Sequence, residues 1–290
     1  MANRPMARAN DFLRQHSRTR AIERSVTRPL RRIALPMLTG SGRGLRVRFG
    51  ESALTRAVSN VEPHVEDAFL SLLHPGDVVY DIGANIGWYT LLGARAVGTE
   101  GTVVAFEPSV ANAALVKENA ARNGFVNVSV IPAAVTDGSG WATFLDKGSL
   151  EGRLMKDDTA AQARRRARRP QGYKGSSVVP VLALDSWLAE TDQPPPKVIK
   201  IDVEGAEVGA LRGMTATLRS ARPALIIEPH GTGEELGEVL DDVDYEHEEI
   251  SSQRPARPGG AHILARPRGV PVTHPRPPPG QALSTPVVDN

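Results

Sequence analysis

Val78-Val79-Tyr80-Asp81-Ile82-Gly83-Ala84-Asn85-Ile86-Gly87 reads as a buried strand that runs into a glycine-broken turn. The turn signal Pro75-Gly76-Asp77 precedes it. Ile86 to Val97 continues as a helix, and Thr102 to Phe106 is a second strand. Ser109 suits the N-cap of a helix that runs to Asn123 and stops at Gly124. Further strands are expected at Asn127–Ile131, Val198–Asp202 and Ala224–Glu228, with a helix over Ala206–Ser220. Upstream, Val65, Phe69, Leu72 and Leu73 mark one face of a helix ending near His74. Strands alternating with helices at this spacing predict an α/β fold, a mostly parallel Rossmann-like sheet with helices on both faces. Trp141–Leu145 and Ser177–Leu182 depart from the alternation. They suit an antiparallel pair flanking a charged insertion at about 150–176.

Composition narrows the chemistry. The chain has 290 residues, an apolar fraction of 40% and no Cys. Thiolate metal sites, disulfides and cysteine nucleophiles are therefore excluded. No run approaches the roughly 18 apolar residues of a membrane span. The basic N-terminus lacks a secretory apolar stretch, so a cytoplasmic protein is expected. Charge is nearly balanced at +2 but is unevenly placed. Residues 1–50 hold twelve Arg against Asp11 and Glu23, and 164–169 reads Arg-Arg-Arg-Ala-Arg-Arg. Residues 234–249 hold nine acids and no Lys or Arg, the mark of a solvated face or arm. The tail from 251 carries nine Pro. The expected organisation is a loosely ordered basic arm (1–50), a catalytic-type domain (51–250) and a Pro/Arg-rich tail (251–290) with one short strand at 261–265. Aromatics are only 4%, and the Arg run holds none, which disfavours a nucleic-acid partner.

Open parallel sheets bind ligands at the carboxyl ends of their strands. There the first strand offers Asp81, Gly83, Ala84, Asn85 and Gly87, and the second offers Glu107 and Pro108. Gly83 and Gly87 let a ligand approach the backbone. Glu107 can accept both hydroxyls of a ribose, although it could instead cap the following helix. The dinucleotide fingerprint G-x-G-x-x-G fails here, because its third and sixth positions are Asn85 and Trp88. A nucleotide-binding dehydrogenase is disfavoured accordingly. The carboxylate of Asp81 suits a cationic ligand better than a pyrophosphate. S-adenosylmethionine, with ribose, sulfonium and ammonium, fits this set.

Val79 to Thr90 resembles the opening motif of the FkbM family of S-adenosylmethionine-dependent methyltransferases. Ala105-Phe106-Glu107-Pro108, with Asn119 and Asn123-Gly124, is similar to its second motif, and Ala134-Val135-Thr136-Asp137 with Gly140 to its third. Leu184-Asp185-Ser186-Trp187-Leu188 resembles the segment before the fourth strand. Lys200-Ile201-Asp202-Val203-Glu204-Gly205-Ala206-Glu207, with Leu211 and Gly213, resembles the family's most distinctive block. The resemblance spans roughly 50–230. It implies a seven-stranded mixed sheet, O-methylation as the reaction, and a sugar or natural-product hydroxyl as the acceptor. It places Asp137 near the adenine, although Asp137-Gly138 also reads as an ordinary turn. The basic arm, the Arg run and the Pro-rich tail lie outside the family pattern.

A sugar hydroxyl is a poor nucleophile, so a base or a metal should assist. Asp202, Glu228 and His230 are the catalytic candidates. Asp202, Glu204 and Glu228 could instead hold a divalent metal such as magnesium. A nucleic-acid methyltransferase is the enzymatic alternative, but Asp202-Val203-Glu204-Gly205 stands where the amino-methylating class shows Asp/Asn-Pro-Pro-aromatic. A cofactor-binding module without turnover is the non-enzymatic one.

Overall fold

The computed structural model describes residues 34–48, 62–146, 152–154, 175–250 and 261–269. The Arg run at 164–169, most of the 150–176 insertion and most of the N-terminal arm and tail lie outside the described residues.

The main sheet is built on β3 (Val78–Ile82), β4 (Thr102–Phe106), β5 (Val128–Ile131), β10 (Val198–Ile201) and β11 (Ala224–Ile227), all mutually parallel. β13 (His262–Pro267) runs antiparallel to β11, and β12 (Tyr245–Ile250) pairs antiparallel with β13. The seven-stranded order is β12-β13-β11-β10-β3-β4-β5. One reversed strand in a parallel sheet of this order is the class I methyltransferase fold. The short strand expected at 261–265 is therefore an inner strand of the sheet.

Strand residues alternate between two apolar layers. Val79, Val103, Val198 and Ile226 pack with Phe69 of α1 (Pro63–Ser71) and with Leu91 and Leu92 of α2 (Trp88–Val97). Ala113 and Val116 of α3 (Val110–Arg122) sit against Ala105 and Val130. Tyr80, Val104, Ile199 and Leu225 face the opposite layer. That layer holds Leu184 of α4 (Leu184–Glu190), Leu211 of α5 (Glu207–Arg212) and Leu218 of α6 (Thr215–Ser220). Leu236 and Leu240 of α7 (Gly233–Asp242) complete it. Among the described residues, no helix is long and apolar enough to cross a membrane.

Two expectations change, and two hold with added detail. The helix expected over 206–220 is two helices broken at Gly213-Met214. A Cβ at Gly213 would lie 1.9 Å from the Thr136 carbonyl oxygen, so the chain approaches that loop as only glycine can. The acidic stretch 234–249 is α7 followed by β12. Its acids stay outward while Leu236 and Leu240 are fully buried, because acidic and apolar residues share one helix on opposite faces. The expected antiparallel pair exists as β7 (Gly140–Asp146) with β9 (Gly175–Leu182). It belongs to a second sheet, β6-β9-β7-β8, with β6 (Ala134–Val135) and β8 (Gly152–Leu154).

Residues 34–48, assigned by sequence to a loose arm, carry β1 (Leu35–Pro36) and β2 (Arg46–Val47). Met37, Leu45 and Val47 are buried in the core. Two Asn of α3 hold β2 as a neighbouring strand would. Asn123 accepts from the Arg46 N–H and donates to its carbonyl, each at 2.8 Å. Asn119 accepts from the Arg48 N–H at 2.8 Å and donates to the Ile86 carbonyl at 2.9 Å.

Candidate functional site

Strand order changes direction between β3 and β10, and a cleft opens at their carboxyl ends, where such folds bind ligands. It is lined by Gly83, Asn85, Phe106, Glu107, Pro108, Asp202, Val203 and Glu204 on the main-sheet side. Ala134, Val135, Phe144 and Leu154 of the second sheet form the facing wall.

Gly83 has a φ of +85°, and a Cβ there would meet the Asp202 carbonyl oxygen at 1.9 Å. The glycine thus serves the contact between the two strand ends as well as the cleft surface. The Asp202 N–H donates to the Ile82 carbonyl at 2.9 Å, which locks that contact. Asn85 sits in the left-handed region at φ +55° and donates its N–H to Glu107 Oε2 at 2.8 Å. Its own Oδ1 is buried without a hydrogen-bond partner. Glu107 Oε1 accepts the Ser109 N–H at 2.8 Å. Each oxygen of Glu107 holds one backbone donor, and the Asn112 side chain also bonds this carboxylate at the cleft wall. Burial pushes the Glu107 carboxyl up to about 7, against the pull of those two N–H donors.

Gly83, Asn85, Glu107 and Pro108 are thus brought together on the cleft. Four other cofactor candidates are not on its lining. Asp81 is 2% exposed and accepts a hydrogen bond from Thr90 Oγ1. In the sheet register it sits beside Lys200, which is itself buried with Nζ 5.1 Å from the centre of the Tyr89 ring. Its carboxylate therefore faces helix α2 and a buried cation. Ala84 is buried, its N–H donating to the Phe106 carbonyl. Gly87 caps α2 and packs on Val116. Asp137 is exposed and accepts from Thr136 Oγ1 at 3.2 Å.

Beyond the cofactor wall the cleft runs into a charged cluster. His230 Nε2 lies 3.9 Å from Asp202 Oδ1, 3.8 Å from Glu228 Oε1 and 4.0 Å from Glu204 Oε1. Donor atoms of Asp202, Glu228 and His230 all lie within 4.8 Å of one another. Glu204, expected with Asp202 and Glu228 as a metal ligand, is not in that set. His230 Nδ1 is 2.8 Å from Glu207 Oε1. That bond, helped by the carboxylates of Asp202 and Glu204, raises the imidazole to about 9 against its burial. At neutral pH His230 is an imidazolium. Glu207 is fully buried and also accepts from the Gly205 N–H at 2.8 Å and Thr232 Oγ1 at 2.9 Å. Burial raises Glu207, but those three bonds outweigh it and hold the carboxyl below its ordinary value.

Asp202 and Glu228 titrate as a pair. Loss of surrounding water and the Glu228 carboxylate push Asp202 up, against Lys200 and His230. Burial also raises Glu228, but His262, Lys200 and His230 together take it below its usual range.

Sequence reasoning singled out Asp202, Glu228 and His230, which the fold does bring together. It missed Glu207, Lys200, His262 and the second-sheet wall. Glu207 stood in a quoted motif, five residues after Asp202, yet in sequence it reads as an ordinary acid in a helix's first turn. Only the return of β11 past α5 gives it His230 as partner.

A family model described as Methyltransferase FkbM domain matches residues 81–251. The hexuronic acid methyltransferase AglP of Haloferax volcanii is 29% identical over 156 residues, 53% of this chain and 56% of its own length. The 31-O-demethyl-FK506 methyltransferase FkbM of Streptomyces tacrolimicus is 30% identical over 189 residues, 58% of this chain and 71% of its own. The match to AglP therefore spans little more than half of that relative's length. A solved FkbM methyltransferase from Methylobacillus flagellatus covers 65% of this chain and 43% of its own at 16% identity and a TM-score of 0.45. The family match extends over more than half of the 290 residues and contains both walls of the strand-end cleft. The chain belongs to the FkbM methyltransferase family.

Proposed function

We propose that this protein transfers a methyl group from S-adenosylmethionine to a hydroxyl of a sugar or natural-product small molecule. The observation that carries the proposal is the joining of two chemistries in one cleft, a ribose-type carboxylate at Glu107 and an acidic transfer site at Asp202. The residues fit the cofactor. Glu107 presents a carboxylate on the cleft lining, and the buried, unpartnered Oδ1 of Asn85 awaits a donor. Bound S-adenosylmethionine supplies a methyl on a sulfonium, already activated for in-line displacement.

The protein's part is positional and protolytic. Gly83, Asn85, Glu107 and Pro108 hold the cofactor, with Phe144 and Leu154 excluding water from the facing side. Asp202 takes the proton of the acceptor hydroxyl as that oxygen becomes bonded to methyl. His230, fixed by Glu207, presents its imidazolium to the Asp202 and Glu228 carboxylates and keeps Glu228 ionised. His230 is thus a charge partner in this reading and not the base. The relatives act on a hexuronic acid and on a demethylated FK506, and a hydroxyl-bearing acceptor extends that chemistry to this chain.

The test is transfer of labelled methyl from S-adenosylmethionine to a panel of hexuronic acids, neutral sugars and macrolide alcohols. Asp202→Asn keeps size and removes the proton acceptor. It should lower turnover by roughly 10²–10⁴ while cofactor affinity stays near wild type. Normal turnover in that variant would remove Asp202 from the reaction. Methylation of nucleic acid in place of the panel would favour the competing enzyme class.

A further inference from the structure

We propose that Glu62, Glu228 and His262 form a binding site for a divalent transition-metal cation, set behind the carboxylates that face the cleft. His262 lies on the inner strand β13, and its ring is fully buried. Neither ring nitrogen makes a hydrogen bond. A fully buried imidazole with no hydrogen bond of good geometry has exchanged water for ion-pair contacts alone, which leaves a place for a further partner. Its Nε2 is 3.3 Å from Glu228 Oε2 and 3.8 Å from Glu62 Oε2. The three donor atoms lie within 4.8 Å of one another. Metal–donor bonds of about 2.0–2.2 Å separate neighbouring donors by about 3.0 Å at right angles and about 3.5 Å at the tetrahedral angle, and opposite donors by about 4.2 Å. Both separations from His262 Nε2 fall within that span.

Glu228 is shared. Its Oε2 faces His262, and its Oε1 faces His230 at 3.8 Å. The cleft-facing set of Asp202, Glu228 and His230 is the other grouping of this kind among the described residues. There, however, His230 already bonds Glu207. The unanswered polar group is on the His262 side. One imidazole with two carboxylates is a mixed donor set. Magnesium and calcium prefer oxygen alone, whereas manganese and zinc accept both. A cation here fixes Glu228 from behind and offsets part of the negative charge collected at Glu62, Asp202, Glu204 and Glu228.

The readout is the ion itself, so the test stands or falls apart from methyl transfer. Full-length protein stripped by chelator is titrated with Mn²⁺, followed by electron paramagnetic resonance of the free ion, and with Zn²⁺ by calorimetry. One ion per chain should bind. Glu62 is 36% exposed, so Glu62→Gln leaves the core intact. It should weaken binding by at least about tenfold. Asp202→Asn, outside the set, should change it less than about threefold on the same scale. His262→Asn should lose binding as Glu62→Gln does. Failure of both ions to bind would overturn the proposal and leave His262 an ion-pair partner of Glu228. Binding unaffected by Glu62→Gln but abolished by Asp202→Asn would overturn it too, by placing the ion on the cleft face.

Discussion

Glu107 carries two duties at once, and its variants separate them. The carboxylate holds the Asn85 and Ser109 amides and lines the cleft. Glu107→Ala would strand both amides, so loss of binding in that variant would mix structure with recognition. Glu107→Gln keeps the shape but sets an NH₂ donor against one of those N–H groups and offers one oxygen fewer. S-adenosylmethionine affinity should fall by about 1.5–3 kcal/mol, the worth of a hydrogen bond to a charged group, when followed by calorimetry. The same group sets a pH dependence. Burial raises its carboxyl to about 7 from an ordinary value near 4.5. A raised carboxyl favours the protonated folded state, so its contribution to stability is present below the ordinary value and is lost as pH rises through about 7. Cofactor binding runs the other way, because ligand hydroxyls need the ionised form. Affinity should decline by up to about tenfold per pH unit below the folded value, and a flat profile from pH about 5.5 to about 8 would contradict this assignment. Gly83 makes a different claim. Its positive φ and the Asp202 carbonyl at 1.9 Å from a built Cβ leave no place for a side chain. Gly83→Ala should cost at least about 1–3 kcal/mol in urea unfolding, and an unchanged midpoint would show that the two strand ends are not so close.

At the scale of elements, the break between α5 and α6 shows how a loop is held in place for the site. Asp185, two residues into α4, accepts from the Ala216 N–H at 2.7 Å, the Thr217 N–H at 2.8 Å and Thr217 Oγ1 at 2.6 Å. It thereby caps α6 from another helix, answering donors that its own chain leaves open. Asp185→Ala should destabilise the fold by about 1–2 kcal/mol in chemical denaturation, the usual value of a lost N-cap. An indifferent variant would mean that water caps α6 equally well. The central strands were legible because strands buried on both faces read as short apolar runs between turn signals, as Ala224–Ile227 does. The two-helix break was not, because Gly213 is needed against Thr136, a contact with no trace in local sequence. The acidic stretch from 234 was legible as a solvated face but not as a helix and a strand. Nine acids dominate its composition, while the apolar spacing of Leu236, Leu240 and Val243 is the signal that fixes α7.

The whole molecule sets two sheets around one cleft, and the contribution of the smaller sheet was invisible in the sequence. Asp81, Ala84 and Gly87 belong to a recognisable motif, yet the fold uses them for burial and capping beneath the loop. Phe144 and Leu154 carry no motif, yet they wall the cleft. Leu154→Ala should weaken cofactor binding by about 1–2 kcal/mol through lost apolar contact, with little change in melting temperature. Unchanged affinity would take β8 out of the site. The acidic transfer cluster was legible as residue types at strand ends, and its pairing of Glu207 with His230 was not, since strand order alone brings α5 beside β11. The most direct test of the account is equilibrium binding of S-adenosylmethionine and of NAD to the full-length protein and to Glu107→Gln. One S-adenosylmethionine should bind per chain in preference to NAD, and the variant should lose roughly ten- to a hundred-fold in that affinity alone, matching the hydrogen bond removed. Preference for NAD, or equal S-adenosylmethionine affinity in the two proteins, would contradict the assignment of this cleft.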